Sequence, residues 1–257
     1  MTSPYPKSWI LLRGLGREAA HWAGFIDQLQ TAFPLADIHA LDLPGSGRFH
    51  QQNSSASIQG LLEAVRRQAM AENLLDTPSV LLGLSLGGMV VWQWLAQFPE
   101  DACAGVLINT SFANLSPFYQ RLNWQNYPHL ARIIITANDA ERERMIVDLV
   151  SNLDEQARVQ ITQRWAEIRQ QRPMSALNEL KQIWAAARFK PARTTPSRPL
   201  LLLNSRGDRL VSPACSFAIH REYGLPILTH PSAGHDLPND DGPWVVRQLQ
   251  NWLMHCR

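Results

Sequence analysis

The segment SVLLGLSLGGMVVWQWLA, Ser79 to Ala96, restricts the fold more than any other part of the chain. A dense apolar run, Ser79 to Leu84, leads through GLSLGG into an apolar run of helical length, Gly88 to Phe98. Glycine weakens strand and helix interiors alike, so three glycines around one serine need a positive reason. Gly83-Leu84-Ser85-Leu86-Gly87 is G-x-S-x-G between a predicted strand and a predicted helix. A strand that bends this sharply into a helix puts the residue at the bend into a strained conformation, with its side chain above the sheet. Gly83 and Gly87 remove the Cβ atoms that would keep strand and helix apart. The helix start at Leu86 presents free N–H groups and the positive end of its dipole to any anion formed beside Ser85.

The remainder of the chain supports an α/β architecture. Short apolar runs recur between Gly, Pro and Asp at Ser8–Leu12, Asp37–Leu43, Ala104–Asn109, Arg198–Asn204 and Leu225–His230. Most are nearly continuous, as in strands covered on both faces of a parallel sheet. Helix-length segments separate them at Ala20–Ala32, Ser57–Asn73 and Pro213–Tyr223. A last helix is predicted at Pro243–Met254, with Pro in its first turn and Val245, Leu249, Trp252 and Leu253 on one face.

Phe112 to Thr195 breaks this alternation. It offers no strand, only helical periodicity: Ala157, Ile161, Trp165 and Ile168 share one face, and Leu177, Leu180, Trp184 and Ala187 another. The expectation is a core formed by residues 1–111 and 196–257, with a helical cap at 112–195. The insertion carries 12 Lys and Arg against 8 Asp and Glu, which reads as solvated helix faces. Its aromatic and flexible residues Phe112, Phe118, Tyr119, Trp124, Tyr127 and Met174 are candidates for lining an acyl pocket, although most such residues serve as packing.

Serine is a weak nucleophile until a base takes its proton. In RPLLLLNSRGDRLVSP, Asp208 follows a predicted strand; in LPILTHPSAGHDLP, His235 follows the last one. The chain order Ser85, Asp208, His235 is the order that suits this architecture. His230 is the competing base, but it stands at its strand end before Pro231, where a structural role is expected. Asp236 neighbours His235 in sequence, and adjacent side chains on an extended loop diverge, so it is a poor orienter.

With these residues in place the chain resembles the α/β-hydrolase family, in particular serine esterases with a helical cap. LLRGLGREAAHW is similar to the family's loop after its third strand, DLPGSG to the turn after its fourth, and GLSLGG, Gly207-Asp208 and Gly234-His235 to its catalytic positions. The resemblance implies oxyanion-hole N–H groups from Leu15 and Leu86. It implies no cofactor or metal, a small-molecule acyl substrate, and cleavage of a carboxylic ester or thioester through an acyl-enzyme on Ser85. Two departures stand out. Arg13 occupies the place of the family's usual His before Gly, which leaves the loop's support open. The first strand begins at Ser8, which leaves no room for an initial antiparallel hairpin and predicts a reduced sheet of about six parallel strands with helices on both faces.

Other readings compete. Gly14-x-Gly16-x-x-Ala19 with Asp42 on the next strand imitates a dinucleotide fingerprint and suggests an NAD-dependent oxidoreductase. Related scaffolds also serve as lyases, acyltransferases, haloperoxidases or ligand receptors. Members that need an aspartate nucleophile, dehalogenases and epoxide hydrolases, are disfavoured by Ser85. Composition narrows the rest. A net charge of +2 gives no reason to expect nucleic acid or an anionic membrane as partner. No apolar run has membrane-spanning length, the start of the chain lacks a secretory pattern, and Cys103, Cys215 and Cys256 show no motif spacing. These features predict a cytoplasmic protein; oligomeric state is left open.

Overall fold

A computed structural model describes residues 6–255 of the chain; Cys256 and the first five residues lie outside the described part. Six strands, β1 (Ser8–Leu12), β2 (Asp37–Leu41), β3 (Ser79–Leu84), β4 (Ala102–Ile108), β5 (Leu200–Ser205) and β6 (Ile227–His230), form one sheet in the order β2-β1-β3-β4-β5-β6. Every pairing is parallel. The inner strands are buried almost throughout, which explains their unbroken apolar sequence, whereas edge strands β2 and β6 are partly exposed.

Alternate strand residues feed two cores. Ile10, Leu12, Leu81, Leu107 and Leu202 pack on one face with α2 (Ile58–Ala71), α3 (Leu86–Gln97) and α9 (Ala214–Tyr223). Trp9, Leu11, Leu82, Val106 and Leu203 pack on the other with α1 (Ala23–Ala32) and α10 (Leu237–His255). The segment expected as one helix from Ala20 is divided: a 3₁₀ turn at Ala19–Trp22 precedes α1, whose first residue, Ala23, has φ +30°. The last helix also differs from its expected span. It begins at Leu237 and is broken at Asp241, whose φ/ψ of −149°/69° is non-helical. The Asp241 carboxylate accepts from Trp244 N–H at 2.9 Å, so the helix restarts there with Pro243 in its new first turn.

Between β4 and β5 lie α4 (Phe118–Arg121), α5 (Tyr127–Ile135), α6 (Asp139–Val150), α7 (Glu155–Gln171) and α8 (Ala176–Arg188), with no strand among them. Asn138, Asp154 and Ser175 cap α6, α7 and α8 by accepting from backbone N–H groups of the first turn. Trp165 and Ile168 of α7 pack as their spacing predicts, with Val147, Leu149 and Val150 of α6. Helix α8 does not follow its pattern. Leu177, Leu180 and Trp184 are each more than half exposed, while Asn178, Gln182 and Ala185 face inward. Part of the surface that α8 covers explains the reversal, because it is loop backbone. Asn178 accepts from Ser54 N–H (2.9 Å) and donates to Gln52 C=O (2.9 Å), and Gln182 Oε1 accepts from Gly16 N–H (3.0 Å). An apolar face would leave those groups without partners.

Candidate active site

Ser85 sits between β3 and α3 with φ +55° and ψ −112°, a conformation rarely adopted by a residue with a Cβ. Neighbouring strand ends hold it there. Its N–H donates to Ile108 C=O at 2.8 Å, and its C=O accepts from Thr110 Oγ1 at 2.8 Å. Close approach does the rest. A Cβ on Gly83 would lie 2.3 Å from Gly87 C=O, and one on Gly87 would lie 2.3 Å from Leu12 C=O. The two motif glycines therefore let α3 close onto both β3 and the end of β1.

The chain leaving β1 runs past the serine. A Cβ on Gly14 would lie 3.4 Å from Ser85 Cβ, so the next residue, Leu15, borders the elbow. Among the described residues no protein acceptor takes the N–H of Leu15 or of Leu86, the first residue of α3. Both N–H groups are thus left for an acceptor from outside the protein, as a group that holds a developing oxyanion must be.

Asp208, after β5, and His235, after β6, meet in the structure. His235 Nδ1 lies 2.7 Å from Asp208 Oδ2, with both side chains buried. Asp208 is fixed by its other oxygen, which accepts from Leu210 N–H and Val211 N–H at 2.9 Å each. The loop of His235 is fixed by Asn109, which follows β4 at φ +47°. Its amide donates to His235 C=O at 2.8 Å, and its carbonyl accepts from Ser205 N–H at 3.0 Å. Asn109 and Thr110 were not singled out from sequence. The available signal was an Asn directly after a strand, a residue type that, among those with a Cβ, tolerates a left-handed turn well. Among the described residues no hydrogen bond joins Ser85 to His235.

His230 is occupied elsewhere. Its Nδ1 accepts from Ser232 N–H and Ala233 N–H, and its Nε2 lies 3.1 Å from Asp241 Oδ2. It shapes the loop that carries His235. Asp236 indeed points away from His235 and pairs with Arg13. Asp42 is also consumed locally, accepting from Ala19 N–H (2.7 Å) and Arg48 N–H (3.0 Å), with Gly47 at φ +53° over its carboxylate. It is a turn anchor, and the dinucleotide fingerprint loses the acid that would contact a ribose.

The pocket candidates lie in different settings, Tyr119 and Tyr127 being exposed. Phe112 is fully buried in the core against Trp92 and Phe189. Met174 is buried beside a polar cleft bounded by Arg17, Glu18, His21, Glu143 and Arg172. Phe118 and Trp124 are about half exposed or more. In the polar cleft, burial together with the neighbouring Arg17 cation holds the His21 imidazole well below its usual pKa. Burial pushes the Glu18 carboxyl up, an effect that Arg172 partly opposes. Burial also pushes the Cys215 thiol up to about 11, which keeps it a poor nucleophile. Among the described residues no cluster of His, Cys, Asp and Glu could hold a metal ion, and no helix is long and apolar enough to cross a membrane.

Residues 9–248 match the family model described as the alpha/beta hydrolase family. The chain belongs to that family. Solved structures superimpose over nearly its whole length. An enol-lactonase from Burkholderia xenovorans LB400 aligns with TM-score 0.74 at 17% identity, covering 97% of this chain and 92% of that one. A thermophilic esterase from Thermogutta terrifontis aligns with TM-score 0.71 at 17% identity, covering 98% and 90%. A chain from Mycobacterium tuberculosis H37Rv that carries the name non-heme bromoperoxidase aligns with TM-score 0.73 at 16% identity, covering 98% and 94%. At these identities the likeness is one of fold.

Proposed function

We propose that the protein is a serine hydrolase that cleaves a carboxylic ester or thioester through an acyl-enzyme on Ser85. One observation carries the reading. A strained serine at a helix N-terminus stands at the strand ends where a buried Asp208–His235 hydrogen bond of 2.7 Å is held. In the proposed cycle His235 Nε2 takes the Ser85 proton as the hydroxyl oxygen attacks the acyl carbon. Leu15 and Leu86 N–H groups hold the oxyanion, and Asp208 keeps the imidazole Nδ1–H oriented. His235 then gives the proton to the departing alcohol or thiol, and later activates the water that frees the acid. The esterase and lactonase neighbours are in keeping with this reading. The bromoperoxidase neighbour marks the alternative, a non-hydrolytic member of the same scaffold.

A fluorophosphonate probe tests the nucleophile. It is expected to label Ser85 alone, and Ser85→Ala to abolish labelling and lower kcat by about 10⁴–10⁶ on activated esters. Labelling at another residue would overturn the assignment. The residues 112–195 are proposed to cap the serine, because they leave the sheet at the carboxyl end of β4, the end at which open α/β sheets bind ligands, before returning to the start of β5. With an acyl chain between cap and sheet, each buried CH₂ is worth about 0.8 kcal/mol, so kcat/KM should climb about fourfold per carbon until the pocket fills. A flat profile across acetate to octanoate esters, unchanged by Trp124→Ala or Phe118→Ala, would remove the cap from recognition.

A further inference from the structure

Arg13 and Asp236 are 223 positions apart in sequence, yet they form the most buried ion pair in the described part of the chain, with side chains 2% and 3% exposed. The pairing is two-pronged: Nη1 donates to Oδ1 at 3.1 Å, and Nη2 donates to Oδ2. The guanidinium lies 4.7 Å from the Trp22 ring centroid, and Asn239 Nδ2 adds a 2.9 Å bond to Asp236 Oδ2. Burying two charges is costly, and an apolar pair of similar volume generally serves stability as well or better. Stability is therefore a poor reason for this pair to exist.

Its location supplies a better one. Arg13 directly precedes Gly14, which lies close against Ser85, and is two residues before Leu15, the proposed oxyanion donor. Asp236 directly follows His235, whose ring is held by Asp208. Each partner sits on a different loop, one carrying a proposed oxyanion donor and the other the proposed base. Asn109 and Asp208 tie the His235 loop to the strand ends on its other side. Without the ion pair nothing polar in the described structure joins the residue 13–15 turn to residue 236. A planar guanidinium bound by two parallel hydrogen bonds fixes distance and orientation at once, which an imidazole at position 13 could not do.

We propose that Arg13 and Asp236 are positioning residues that set the oxyanion-donor loop against the His235 loop. The inference rests on the roles given above to Leu15 and His235. The pair touches neither substrate nor reacting atoms; its effect passes through backbone on one side and the imidazole on the other.

The test separates positioning from mere support. Arg13→Met alone leaves a buried carboxylate unpaired and is expected to lower Tm, so the informative protein is the double variant Arg13→Met/Asp236→Leu, in which the buried charge is gone. It is expected to keep a Tm within a few degrees of the parent. Its kcat on p-nitrophenyl butyrate should nevertheless fall by about 10–100-fold with KM changed by less than about twofold, the effect of small misplacement of reacting groups. A double variant that recovers kcat along with Tm would show the pair to be structural only, and so overturn the proposal. A second readout is independent of turnover. The downfield proton resonance of His235 Nδ1–H should be sharp in the parent and broadened by exchange in the double variant. Equal sharpness in both would also overturn the proposal. Should the parent neither turn over the ester nor react with a fluorophosphonate, the hydrolase reading falls, and the resonance still decides whether the pair orients the ring.

Discussion

At the scale of single residues, the site depends on groups whose own polar atoms are fully committed. Ser85 keeps a left-handed φ, at a cost on the order of 1–3 kcal/mol, because Ile108 and Thr110 bind its backbone on both sides. Asp208 spends one oxygen on Leu210 and Val211 and the other on His235. The same accounting separates the two histidines of the last loop. His230 has both ring nitrogens engaged, whereas His235 has only Nδ1 engaged among the described residues, which leaves Nε2 for the proposed base role. His235→Ala is expected to lower kcat by about 10⁴ or more, and His230→Ala by less than about tenfold with a larger effect on Tm. Steady-state kinetics and thermal unfolding of the two variants would check this, and a reversed order would make His230 the base.

At the scale of elements, α8 shows how a sequence pattern can be legible and still point the wrong way. The stripe Leu177, Leu180 and Trp184 satisfies helical periodicity, and the helix forms, but the stripe faces solvent. The inward side meets the backbone of the loops at residues 16, 44, 52 and 54. There hydrogen-bonding capacity outweighs apolar area, since an unpaired buried donor costs about 1–3 kcal/mol. Asn178→Ala should therefore destabilise the fold by about 1–3 kcal/mol, and Leu177→Gln or Leu180→Gln by no more than about 0.5 kcal/mol. Denaturant titration of the three variants gives the comparison. Two ion pairs, Arg17–Glu143 and Glu18–Arg172, further join the loop after β1 to α6 and to the end of α7. The loop that carries Leu15 is thus anchored both to the His235 loop and to the inserted helices.

At the scale of the whole molecule, pH acts through groups buried at that junction. His21 is 4% exposed, and its Nε2 lies 3.1 Å from Arg17 Nη1, a donor, so the folded state favours the neutral ring. Its pKa in the fold lies well below the ordinary value of 6.5. Between those two values the unfolded chain binds more protons than the folded one, so stability is intact above about pH 6.5 and falls as pH drops below it. The slope is at most about 1.4 kcal/mol per pH unit for one such group. Glu18 and Asp240 have the opposite sign. Burial raises both carboxyls, so their contribution is greatest at low pH and is lost as pH rises through their elevated values. Unfolding free energies from pH 7 to pH 5 should decline in the parent and decline less in His21→Gln. Parallel curves would exclude His21 as the source.

The sequence by itself determined the alternation that builds the sheet, the six strands within a residue or two of their ends, the elbow at Ser85, and the order of Ser85, Asp208 and His235. These are local properties. Strand burial on both faces shows as unbroken apolar runs, and a sharp strand-to-helix turn shows as glycines flanking one hydroxyl. Only the tertiary structure decided which polar side chains meet across long stretches of chain. Asn109 holding the His235 loop, Asp42 serving its own turn, Asn178 and Gln182 facing inward, and Arg13 reaching Asp236 all depend on contacts between distant segments. Apolar burial leaves a periodic trace in one stretch of sequence because it is non-directional and adds along an element. A buried hydrogen bond or ion pair has a single partner set by geometry, and that partner leaves no trace near the residue that needs it.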